Sequence, residues 1–183
     1  MKRLRSLLAW MIARPIRLLI PAAGIIVLAA LAFWVVSSSQ ASPVPQPIAF
    51  NHKIMVTTAG INCLFCHSDA TRSPSAGIPS VAKCMGCHKT IAATAPEVVK
   101  VADYFTRQEP IPWQRVNILP RFVYFSHEAH VVGGGLNCER CHGDVANMTV
   151  DVPVVRMNMG WCINCHTSQP NGQQLRDCIT CHQ

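Results

Sequence analysis

Five times in 183 residues, two cysteines stand three apart with a histidine directly after the second. The five motifs are CLFCH (Cys63, Cys66, His67), CMGCH (Cys84, Cys87, His88), CERCH (Cys138, Cys141, His142), CINCH (Cys162, Cys165, His166) and CITCH (Cys178, Cys181, His182). No cysteine lies outside them. Two thiols at this spacing meet one edge of a haem and form thioethers with its vinyl groups, and the next imidazole reaches the iron as proximal ligand. Disulfides, zinc knuckles and thioredoxin-like dithiols also use C-x-x-C. Zinc sites take such pairs in twos, or place His three to five residues away, and do not call for an adjacent His at every pair. The pattern predicts five covalently attached haem c groups.

A low-spin electron carrier needs a second axial ligand on each iron. Of eight histidines only His52, His127 and His130 remain for this task. The other two positions fall to methionine, to another chain, or stay open. A repeat shows how the ligands are shared: FSHEAHVVGGGLNCERCHGD (125–144) aligns without a gap to FNHKIMVTTAGINCLFCHSD (50–69), with 9 of 20 positions identical. His127 matches His52, but His130 is matched by Met55. The first copy therefore offers His52 and Met55 for two motifs. The second offers His127 and His130 for three, with Met148, Met157 and Met159 as further candidates, Met159 or Met148 foremost. Thioether ligation raises a haem's potential, because sulfur favours Fe(II). Met55 then reads as a redox-tuning ligand; simple packing is the alternative for a methionine.

The elements that must hold these groups are short. From Cys63 to His182 there are 120 residues, 24 per motif. That is too few to enclose each haem separately. The expected fold is mainly coil with short α-helices around a haem core, not strand-rich, and its two related parts are 50–94 with two haems and 120–183 with three. Between them TAPEVVKVADYF (94–105) predicts a helix, with Thr94 and Glu97 at capping-box spacing and Pro96 in its first turn. Trp113, Phe122, Tyr124 and Phe125 suit packing against haem faces.

The net charge of +7 is concentrated at one end. Lys2, Arg3, Arg5, Arg14 and Arg17 are five of the 16 basic residues, which leaves 11 against 9 acidic beyond them. A nucleic-acid partner is not indicated. Residues 1–17 read as a cytoplasmic basic, amphipathic segment. Residues 18–36 carry no charge for 19 positions, roughly 28 Å as a helix and close to a bilayer core. They predict a single transmembrane anchor with its N-terminus inside the inner membrane. A cleaved signal peptide is the rival, though this run exceeds the usual apolar length. Residues 37–49 follow as a Pro-rich linker, and 50–183 as the periplasmic haem domain, outside the cytoplasm where covalent haem attachment occurs.

F-x-H-x-x-H ahead of C-x-x-C-H resembles the class III, c3/c7-like multihaem cytochromes. That resemblance implies that His127 serves the haem on Cys138/Cys141, His130 another haem, and His52 the haem on Cys63/Cys66. With the anchor, the five motifs and the run IPWQRVNILPRFVYFSHEAH…MGWCINCH, the chain is similar to the pentahaem subunits of alternative complex III. The resemblance implies an electron-transfer subunit without catalysis of its own in a quinol:electron-acceptor oxidoreductase. Its implied partners are an iron–sulfur/molybdopterin-like subunit, polytopic quinol-binding membrane subunits and monohaem cytochrome c subunits. A membrane-anchored multihaem quinol dehydrogenase feeding periplasmic reductases is the alternative.

Overall fold

A computed structural model describes residues 24–35 and 42–182. The chain divides into two units, Met1–Ala41 and Ser42–Gln183. In the first, residues 24–35 form helix α1, solvent-exposed throughout. The expected span 18–36 lies partly outside the described residues, and the basic segment 1–17 wholly so. No helix among the described residues is long and apolar enough to cross a membrane.

The second unit is coil interrupted by short helices: α2 (Cys63–Cys66), α3 (Val81–His88), α4 (Pro96–Arg107), α5 (Glu139–His142), α6 (Met159–Thr167) and α7 (Cys178–Cys181). All of these except α4 carry a cysteine motif. Among the described residues the β-structure is one antiparallel bridge, Val123 to His182. The expectation of coil with short helices holds.

Helices this short are unstable alone, because few of their end groups find intrahelical partners. Side chains supply what length does not. Asn62 caps α2 by accepting the Leu64 N–H at 2.9 Å, and Asn158 caps α6 by accepting that of Trp161 at 3.0 Å. Ser80 caps α3 through the Lys83 N–H. After His142 the chain reverses at Gly143, with φ +68°, where a Cβ would come within 2.8 Å of Val154. Only glycine fits that turn.

Helix α4 corrects the expected capping box. It starts at Pro96 with Ala95 as N-cap, and no side chain caps it. The Glu97 carboxylate accepts instead from the Ala49 N–H and from Lys100, each at 2.7 Å. A long-range bond to the incoming strand of coil has displaced the local one. The helix ends at Gln108 in the left-handed conformation, φ 56°. Its Val101 packs with Met85 of α3 and with Ile48 and Ile111 into a small apolar core.

The two copies of the repeat adopt one backbone. Each has a π-helical turn, Ile54–Thr58 and Ala129–Gly133, 75 residues apart. Met55 N–H and His130 N–H bond to Asn51 and Ser126 carbonyls at the same 3.4 Å. The Met55 and His130 carbonyls accept from Ile61 and Leu136 at 3.0 and 3.1 Å. Gly60 and Gly135 share a positive φ, +70° and +59°. Met55 thus occupies the structural position of His130.

Candidate cofactor site: paired imidazoles on cysteine helices

No two of the ten cysteines are joined in a disulfide. Each motif's pair spans about one helical turn, which brings both sulfurs to one side. Burial pushes the Cys66, Cys84, Cys138, Cys141 and Cys162 thiols up. Among the described residues no three His, Cys, Asp or Glu side chains converge to hold a metal ion between them. The zinc-knuckle reading finds no support.

Five of the histidines are held in one tautomer. Nδ1 of His67 donates to the Gly77 carbonyl at 2.7 Å, and Nδ1 of His88 to that of Ile91 at 3.0 Å. His166 donates to Leu175 at 2.9 Å, His127 to Pro74 at 2.9 Å and His130 to Ser126 at 2.7 Å. A carbonyl only accepts, so each Nδ1 carries the proton and each Nε2 presents a lone pair to a metal.

Two pairs face each other. His127 and His142 lie parallel within 7°, with ring centroids 6.3 Å apart; His130 and His166 lie within 26° at 6.0 Å. Those distances exceed ring-face contact, since touching carbons sit about 3.5–4 Å apart. A metal–imidazole bond of about 2.0 Å on each side, with roughly 1.1 Å from nitrogen to ring centre, separates two centroids by about 6.2 Å. An iron bound between the Nε2 atoms of each pair would give separations close to those observed. Phe125 braces both clamp rings, edge-on to His127 at 4.9 Å and parallel to His130 at 4.5 Å.

In the first copy Phe50 stands edge-on to His52 at 4.8 Å, as Phe125 does to His127. The His52 Nδ1, however, is buried without a hydrogen-bond partner. Burial pulls the pKa of His52 below its usual value, Asp151 opposes this, and His67 lowers it further. His142 is lowered chiefly by burial and then by His127 and His67, against Asp151. His182 lies parallel to Phe122 at 5.8 Å, and the Tyr124 N–H bonds to the Cys181 carbonyl at 2.7 Å.

The methionine candidates separate. Met55 is half-buried beside His52. The Met148 carbonyl accepts the Lys53 N–H of the first copy at 3.0 Å. Met159 begins α6 and is 65% exposed, whereas Met157 is half-buried. One residue escaped the sequence reading. The Asn117 amide lies 3.3 Å from Nδ1 of His142. An asparagine 25 positions upstream of its partner leaves no periodic or motif signal.

Short helices bearing C-x-x-C-H, with imidazoles poised in opposed pairs, define a cytochrome. The chain belongs to the multihaem cytochromes c, which bind haem c covalently and transfer electrons. Residues 123–183 match the family model of cytochrome c7 and related cytochrome c. The chain is also 30% identical, over 87% of its own length and 87% of the other's, to the menaquinone reductase multihaem cytochrome c subunit of Nitratidesulfovibrio vulgaris strain Hildenborough.

Proposed function

We propose that this chain is the electron-relay subunit of a membrane quinone-linked oxidoreductase of the alternative complex III kind, with one haem c at each of its five motifs. The observation that carries this reading is the pairing of His127 with His142 and of His130 with His166, which would hold an iron on both sides at those two motifs. Haem supplies one-electron iron chemistry when bound. The chain does the rest. Its cysteines would fix each group, its carbonyls hold five of the imidazole tautomers, and its aromatic rings brace the clamps.

The ligand set follows from register. His127 serves its own motif and His130 the next one, so His52 serves the motif of His67 and Met55 that of His88. For His182 the second ligand comes from Met157 or Met159, or from a partner. Residues 18–36 anchor the chain in the inner membrane with the haem domain outside. The partners are an iron–sulfur/molybdopterin-like subunit, polytopic quinone-binding subunits and monohaem cytochromes c. The relative's name points to menaquinone as the pool and to its reduction; a relay of this kind conducts either way, and its neighbours set the direction.

The test is purification from native membranes followed by redox titration monitored by electron paramagnetic resonance. Co-purification with membrane subunits, five haems per chain and low-spin signals reduced by quinol are expected. A chain isolated alone, or a predominant high-spin iron that binds nitrite or cyanide, refutes the reading.

A further inference from the structure

The two copies meet through equivalent surfaces. The Lys53 N–H bonds to the Met148 carbonyl at 3.0 Å, and the Glu128 N–H to the Ser73 carbonyl at 3.2 Å. Adding 75 to Lys53 gives Glu128, and subtracting 75 from Met148 gives Ser73, so each bond is the other with the copies exchanged. The same exchange relates two packing contacts: turn Ile54–Thr58 against Val145–Asn147, and turn Ala129–Gly133 against Ser68–Thr71. It also pairs Cys63 with Cys138, whose side chains lie close enough to interact. Reciprocal contacts of this kind are the mark of an isologous, two-fold interface. Here it lies inside one chain.

That symmetry dictates which attachment sites are neighbours. The first motif of each copy sits at the shared surface. On one side Lys83, just before Cys84, donates to the Phe65 carbonyl, and its ammonium lies 4.9 Å from the Phe65 ring. On the other side the His127/His130 clamp joins the motifs of His142 and His166. The turn Gln174–Arg176 then packs on α6 and leads into Cys178.

We infer that the five attachment sites form one unbranched path in the order second, first, third, fourth, fifth, built head to head across an internal two-fold. Its ends are Cys84/Cys87/His88 and Cys178/Cys181/His182. The inference rests on the reading that every motif carries a haem. Each step moves one electron, oxidising the donor site and reducing the next, and transfers no atom or proton. Electrons therefore enter and leave at the second and fifth motifs, and the first motif in sequence is internal.

Iron-edge anomalous maps, or a cryo-electron microscopy map, of the haem-loaded chain in its native complex test the order. Five irons are expected, with the iron of His88 nearest only that of His67, and the irons of His67 and His142 related by the internal two-fold. Five irons in plain sequence order, or a His88 iron beside that of His142, overturn the path. Fewer than five irons overturn the reading beneath it instead.

Discussion

Asn117 offers a direct measure of how the polypeptide tunes an iron. Its amide reaches Nδ1 of His142 at 3.3 Å. If Nε2 of His142 binds iron, Nδ1 carries the proton and must donate, so the amide presents its oxygen there; nitrogen and oxygen of an amide are interchangeable by rotation. Accepting that proton makes the imidazole more basic and favours Fe(III). Asn117→Leu removes the acceptor, a loss of about 0.5–1.5 kcal/mol for a neutral bond. Only the part of that loss that differs between Fe(III) and Fe(II) reaches the potential, so at about 59 mV per 1.4 kcal/mol in a one-electron couple the midpoint of that iron is expected to rise by up to about 60 mV. Asn117→Asp strengthens the acceptor, charge-assisted bonds being about twice as strong, and is expected to lower it. Electron paramagnetic resonance titration of both variants reads the sign. Shifts in the same direction, or none, would refute a hydrogen-bonding role and leave Asn117 as packing.

Met55→His converts a thioether ligand to imidazole and is expected to lower the highest midpoint by on the order of 100 mV, within the wide range axial ligands command; an unchanged titration would sink Met55 as a ligand. Burial holds His52 and His142 below the usual imidazole value of 6.5. A depressed histidine keeps its neutral, ligating form above 6.5 and loses it only as pH falls through the lowered value. Their low-spin signals are thus expected to persist below pH 6.5 on acid titration, and conversion to high spin at or above 6.5 contradicts this. Asn158→Ala removes the cap of α6 and is expected to cost about 1 kcal/mol, read as a lower denaturation midpoint with unchanged spectra.

The sequence made the attachment chemistry plain because C-x-x-C-H is local: one helical turn contains it whole. The clamp was also legible, since a gapless repeat carries register, and register is what equates Met55 with His130. What stayed hidden was relational. The partner of His130 is 36 residues away at His166, and nothing in either segment names the other. The Nδ1 acceptors Gly77, Pro74, Ile91 and Leu175 act through backbone carbonyls, which every residue possesses, so no residue type marks them. The capping box at Thr94 misled for the opposite reason. Its spacing was right, but the Ala49 N–H, 48 positions from Glu97, competed for the same carboxylate.

The buried apolar side chains among the described residues are few: Ile48, Ala70, Met85, Val101 and Ile111. So small a cluster cannot offset the conformational entropy of a chain this long. The haem groups would therefore have to supply most of the interior, and the polypeptide without them is expected to be only loosely folded. Folding becomes the last act of maturation. A chain that misses one attachment would lack a piece of that interior and is expected to be digested more readily, so assembly of the relay carries its own quality control.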